Sequence, residues 1–401
     1  MVAWDERIAM RIRMLRGISW SAGAAILAGL MVSGCGHSIS VSSAGPAPAP
    51  PPGPEYVYVS NSGDNVISVF SVSAKTGALT FVEQVQAEVG SGLKGIAANR
   101  GGTFLFAADP AASEILGFKI EQKTGKLTPT AQAVFPTGAG TQPNTLTIAP
   151  GSTSLYVTDF ANAQLFQFSF SSGTGELKPI GGGPVPTGNG PVSVAASSLG
   201  TAVFVANATD GTISGFSRAN NGVLTPSGFI GSLGTSAGAP KWLAADLSGS
   251  RLYNADSLGG PGGSVVVFNI TGSMLSLVGP FGTGNNVNGP LSVAINPVFP
   301  FVYAANDGNN NTSLYSITST GLLPATLIPN TPSVNSVITD NLGKFLYLTD
   351  KADALVLQFT INTSTGAPTA IGSGSVNTEV PPNAASSPFQ VISVEEPSSA
   401  K

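Results

Sequence analysis

The sequence predicts a seven-bladed β-propeller, all-β, with four antiparallel strands to a blade, and three observations predict it. A stretch typified by positions 56–82 occurs seven times, at intervals of 44 to 50 residues, which is the mark of a repeat architecture. Within each copy apolar residues alternate and β-branched or aromatic side chains dominate, the pattern of strands. The final stretch, from Pro388 onward, matches a strand that the first copy lacks. The two ends of the chain therefore complete one blade between them and leave no sheet edge open.

Each copy specifies the same elements in the same order. The first aromatic stands at Tyr58, Phe106, Tyr156, Phe204, Tyr253, Tyr303 and Tyr347. Three residues later comes Asn or Asp: Asn61, Asp109, Asp159, Asn207, Asp256, Asn306 and Asp350. The alternation around the aromatic predicts a strand, and the Asn or Asp sits in the Gly/Asn/Ser-rich turn that ends it. Short polar side chains bond the backbone of such turns and tolerate positive φ. A second aromatic follows on the next strand, twelve positions after the first, or fifteen at Phe268. Eighteen or nineteen positions after the first aromatic a glycine, from Gly77 to Gly366, marks the hairpin into a further strand. One more short strand precedes most copies, as at Pro191-Val192-Ser193-Val194. Four strands in a repeat of this length make a propeller blade, whereas a solenoid takes shorter repeats.

Positions 1–35 read as a signal peptide. Arg7, Arg11, Arg13 and Arg16 precede an apolar run over 18–32 that is too short and too Gly/Ala-rich for a membrane span. Asp5 and Glu6 are unusual in a leader, which makes Met10 and Met14 alternative starts. The run ends Val32-Ser33-Gly34-Cys35, and Cys35 is the only cysteine of the 401 residues. Positions 36–54 form a tether whose six prolines favour extended polyproline geometry. It carries the one histidine, His37, expected to be solvated. Positions 55–396 are the propeller and 397–401 a tail. Beyond the leader 13 Lys and Arg face 19 Asp and Glu, a balance that argues against nucleic acid and anionic membrane surfaces as partners. With no second cysteine, stability must come from strand pairing and packing between blades.

Val32 to Cys35 resembles a bacterial lipobox. That resemblance implies lipidation of Cys35, attachment of the protein to the cell envelope, and, with Gly36 and not Asp following, the outer membrane. The alternative is a soluble secretory signal with an incidental cysteine. The repeat YVSNSGDNVISVFSV…TGALT resembles the lactonase family of seven-bladed propellers over positions 55–396. That family takes in propeller-type 6-phosphogluconolactonases, carboxymuconate cyclases and YVTN-repeat surface proteins, so the resemblance implies the fold more narrowly than the activity. Its enzymes are expected to carry Pro-Arg-His at the start of an innermost strand and a Glu after the first-aromatic strand. Here no innermost-strand start contains Arg or His; the nearest is Pro240-Lys241-Trp242.

The remaining chemistry gathers at the mouth of the channel. The turns after the second strands and the starts of the innermost strands belong to one face, so Lys94, Lys241 and Trp242 should share a rim with Asp109, Asp159, Asp256 and Asp350. Lys241 and Asp256 fall in one blade and are a candidate ion pair. Every repeat needs its Asn or Asp for the turn, whereas five blades do without a lysine. Lys94 and Lys241 are thus the candidate ligands for a carboxylate or phosphate, with Trp242 offering a face to a flat ligand. Three functions follow: a binding or scaffold propeller for a small anionic ligand or a protein; a lactone hydrolase with Asp256 or Asp159 as base and Lys241 at the oxyanion; or a structural surface protein. No cofactor is expected, and a monomer is. The run from Asp307 to Asn311 has the start of a calcium loop but lacks its later glycine and glutamate, so no metal is expected.

Overall fold

The structure, a computed structural model, describes residues 55–87, 92–230, 239–257, 263–283, 289–306, 311–329, 331, 333–378 and 387–395. The leader, Cys35, the tether and positions 307–310 of the calcium-like run lie outside the described residues. Within them the strands form seven antiparallel sheets. In the first blade Glu55–Asn61, Val66–Val72 and Leu79–Gln86 pair in chain order. Pro388–Glu395 adds to this sheet from the inside, with Ile392 opposite Tyr58, so the C-terminal strand closes the ring as the repeat pattern requires. The other six blades run outward in chain order from the innermost strands Ile96–Ala98, Pro143–Ile148, Pro191–Ala196, Pro240–Ala245, Pro290–Ile295 and Val334–Thr339. Each innermost strand touches the next, and Val334–Thr339 touches Pro388–Glu395. The seven enclose a central channel.

Both aromatics of every copy are buried, and they pack between blades. Tyr56 and Tyr58 of the first blade cluster with Leu105, Leu116 and Phe118 of the second, and Phe345 and Tyr347 of the seventh with Val57 and Phe70 of the first. Each such side chain contributes about 1.5–3 kcal/mol by leaving water. Polar latches fix the angle between blades. The hydroxyl of Tyr58 donates to the carbonyl of Gly125 at 2.8 Å, Tyr156 to Gly222 at 2.6 Å, Tyr303 to Gly366 at 2.7 Å, and Tyr347 to Gly77 at 2.8 Å across the ring closure. The closing glycine is required at these turns. Gly77 has φ +73° and Gly125 +71°, and a Cβ on either would lie within 2.3 Å of an aromatic ring of the preceding blade. Side-chain oxygens of Glu83, Gln132, Gln167 and Gln358 accept the N–H of the leucine two residues after that glycine in the next blade, at 2.7–3.0 Å.

Two blades depart from four plain strands. The outermost strand is split at Leu177–Pro179 and Val185–Pro186 in the third blade, and at Gly321–Leu322 and Thr326–Pro329 in the sixth. Three successive glycines of positive φ (181–183) break the first, and Pro324, which has no N–H to donate, lies in the gap of the second. The ring has two distinct ends. The mouth holds the starts of the innermost strands and the Asn/Asp turns. The base holds the loops from innermost to second strand, the glycine hairpins, and Glu55, which lies opposite Glu395.

Candidate binding mouth

The innermost strands begin with a β-bulge. Pro240 pairs with Asp256 and Trp242 with Ala255, which leaves Lys241 as the extra residue. Val192, Leu291 and Asn335 are left over in the same way. In the second blade the N–H of Lys94 donates to the carbonyl of Ala108, while the N–H of Ala108 donates to Gly95, again two residues against one. Bulges re-aim a side chain away from the sheet, and here neighbouring ones meet. The Asn335 amide donates to the carbonyl of Phe389 at 2.8 Å, and the Lys94 ammonium lies 6.0 Å from the centre of the Phe389 ring, within cation–π range. Lys94 and Lys241 thus occupy equivalent bulges, three blades apart in a ring of seven.

Lys94 is half-buried, and burial lowers its pKa because it disfavours the charged form. Among the described residues no carboxylate pairs with it. Lys241 is likewise half-buried. Trp242 holds the position that Ser193, Ser292, Ser336 and Gln390 hold in other blades. Those four accept an N–H of the next innermost strand, as Ser193 does from Leu243 at 3.0 Å and Gln390 from Ile96 at 2.8 Å. An indole has no acceptor to offer. Trp242 packs instead with Val293 and Ile295 and lines a channel cavity of about 270 Å³ with Ala244, Val337 and Gln390. A wider cavity of about 840 Å³ opens at the base, beside Asn99, Arg100, Ser198 and Leu247.

Asp159 and Asp256 are fully buried and committed to backbone. Asp159 accepts the N–H of Gln142 at 2.8 Å and of Ala161 at 3.2 Å, and the amides of Asn162 and Gln164 at 2.9 and 2.8 Å. Asp256 accepts the N–H of Ala239 at 2.8 Å. The choice between Asn and Asp around the ring has a physical cause that the linear reading missed. Asn61, Asn207 and Asn306 each donate their amide to a serine on the next strand, Ser68, Ser214 and Ser313, at 2.9 Å. The Asp blades place Leu116, Phe166, Val266 and Leu357 at that register, and in three of them the carboxylate accepts N–H groups of its own turn. The signal was present in the sequence as serine seven residues after Asn, never after Asp.

A second polar ring at the base was also missed. Seven residues before the first aromatic stand Asn99, Ala149, Ser197, Asp246, Asn296 and Asp340. Asn99, Asp246, Asn296 and Asp340 cap the following turn, Asp340 through the N–H groups of Lys344 and Phe345 at 2.6 and 2.7 Å. Burial nevertheless raises the Asp340 pKa. Among the described residues no group of three or more His, Cys, Asp or Glu gathers to hold a metal.

The profile of the family described as "Lactonase, 7-bladed beta-propeller" matches residues 52–139 and 135–231. No curated protein matches the sequence. Solved structures share the fold. A candidate 6-phosphogluconolactonase from Bacteroides uniformis superimposes with a TM-score of 0.73 at 15% identity, covering 85% of this chain and 99% of its own. One from Bacteroides fragilis gives 0.72 at 15% identity over 85% and 98%. The periplasmic gluconolactonase of Pseudomonas aeruginosa gives 0.55 at 18% identity over 66% and 78%.

Proposed function

We propose, starting from a chain that belongs to the lactonase family of seven-bladed propellers, that it binds a small anionic ligand at the channel mouth through Lys94 and Lys241, with Trp242 behind them. The observation that carries this reading is Lys94. It is a partly desolvated ammonium, held by a bulge over Phe389, and among the described residues no carboxylate pairs with it. A cation kept in that state favours an incoming carboxylate or phosphate, and the charge-assisted bond formed there is among the stronger polar contacts. An equivalent lysine on the far side of the mouth suits a ligand charged at two points.

The test is titration with gluconate and 6-phosphogluconate as probes. Lys94→Ala or Lys241→Ala should weaken binding by about 1.5–3 kcal/mol, and added salt should weaken the parent more than the double variant. Binding unaffected by either substitution ends the proposal. The names of the structural neighbours favour a second reading, hydrolysis of a sugar lactone, with Lys241 at the developing oxyanion. Asp159 and Asp256, the sequence's candidate bases, are both tied to backbone N–H groups, which counts against it. Acid release from gluconolactone separates the two readings. We further propose that Cys35 is acylated and fixes the propeller to the outer membrane as a monomer.

A further inference from the structure

Nine large apolar side chains are exposed among the described residues, and six of them lie at the base of blades four to seven. Leu199 (69% exposed), Leu247 (69%), Val298 (59%) and Leu342 (40%) occupy the same loop in four successive blades, between innermost and second strand. Met274 and Leu323 stand beside them at the hairpins of blades five and six. Among the described residues the mouth exposes Phe160 alone of this group, and Leu277 and Leu327 lie on the outermost strands. Single exposed leucines are ordinary; six on one end of one half-ring are not.

Charge is sorted in the same way. Between their strands the base loops and hairpins of blades four to seven contain three charged residues, Asp246, Asp340 and Lys344, and Arg218 and Arg251 at the adjoining strand ends donate to the carbonyls of Gly200 and of Thr318 and Ser319. Asp246 and Asp340 are engaged as turn caps, which leaves Lys344 as the only fully exposed charge. The hairpins of blades one to three expose Lys75, Glu121, Lys123, Lys126 and Glu176.

We propose that the base of blades four to seven is a lipid-docking surface, seating the ring base-down on a bilayer with the Lys94 and Lys241 mouth turned away from it. The exposed side chains are Leu, Val and Met, and among the described residues no Trp or Tyr of the kind that anchors protein interfaces is exposed with them. They stand singly on loop tips, able to enter the headgroup boundary one by one as the apolar side chains of interfacial helices do. The domain's acidic balance disfavours a strongly anionic surface, but at this half of the base the one fully exposed charge is the cation Lys344, so little charge opposes contact with a bilayer. The chain also reaches the propeller at this end, since Glu55 lies at the base. Nineteen residues separate it from Cys35, a reach of at most about 65 Å. Only this last argument rests on the acylation proposed above.

The test uses the full chain with Cys35→Ser, so that no acyl group contributes, and vesicles of phosphatidylethanolamine with a minority of phosphatidylglycerol. A polarity-sensitive dye on Leu247→Cys should shift to the blue and be quenched by spin-labelled lipid, and the same dye on Phe160→Cys should not respond. Leu199→Ser, Leu247→Ser and Val298→Ser combined should lower the vesicle-bound fraction about tenfold with the thermal melt unchanged. Equal responses at the two dye positions, no response at Leu247→Cys, or binding unaltered by the serines overturns the proposal. Fatty-acid labelling of the chain with Cys35 intact is read separately. Label absent with docking intact removes the anchor alone; label present with a silent dye at Leu247→Cys removes the docking alone.

Discussion

At the scale of the residue, two rings of short polar side chains hold the turns, and each position is chosen for what it can donate or accept. Asn is used where a serine stands across the strand pair, because its amide needs an acceptor; Asp is used where the neighbour is apolar and the turn supplies the N–H groups. The base ring shows what that choice costs. Asn99 and Asn296 cap their loops without charge, while Asp340 does the same with a carboxyl whose pKa burial raises above its ordinary 3.8, the hydrogen bonds from Phe345, Lys344 and Leu342 and the charge of Lys344 offsetting only part. A folded-state pKa above the unfolded one means the folded chain holds the proton more tightly. Its contribution to stability is full below the unfolded value and is lost as pH rises through the folded one. Asp340→Asn should therefore stabilise the protein at neutral pH, with the advantage vanishing in acid below about pH 4. Thermal melts across pH check this; an advantage that persisted or grew in acid would refute it.

At the scale of the element, a blade is insufficient alone and depends on the next. Its apolar faces are covered by its neighbours, and the Tyr-to-Gly and Gln-to-Leu latches set the angle at which they meet. Tyr347→Phe removes only the hydroxyl that donates to Gly77, leaving the ring's packing in place. We expect a loss of about 0.5–1.5 kcal/mol, seen as a lower urea midpoint with an unchanged slope. The second and fourth blades already carry Phe106 and Phe204 at this position, so the fold tolerates the change. A variant as stable as the parent would show that the latch is decorative. The bulge at each innermost strand belongs to the same scale: it frees one side chain per blade from sheet geometry, and Lys94 and Lys241 are two of those freed.

At the scale of the whole molecule, the ring is closed by one strand from the far end of the chain. Pro388–Glu395 pairs with Glu55–Asn61 and packs against Val334–Thr339. Removing 387–401 exposes one edge of the first blade and opens a seam beside the seventh. The expected outcome is loss of the cooperative melt or aggregation through the unpaired edge, checked by calorimetry and light scattering. A truncated chain that melted like the parent would mean that closure is not needed. The closed ring also gives the molecule two unlike ends, a mouth that carries Lys94 and Lys241 and a base half aliphatic and half charged.

The sequence by itself determined the strands, the blade count, the closure of the first blade by the last strand, and the turn role of the Asn/Asp positions. All of these are written in spacings of fewer than about fifty residues, repeated seven times, where period and turn chemistry act locally. It also contained the Asn–Ser coupling and the base ring, legible as fixed offsets once the register is known. Only the tertiary structure decided that Lys94 lies over Phe389 and that Leu199, Leu247, Val298 and Leu342 share one end. The physical reason is that these relations run between blades. A bulge shifts a side chain by one residue without changing any spacing, and ring closure brings the first and last blades together, so neither leaves a periodic trace in the chain.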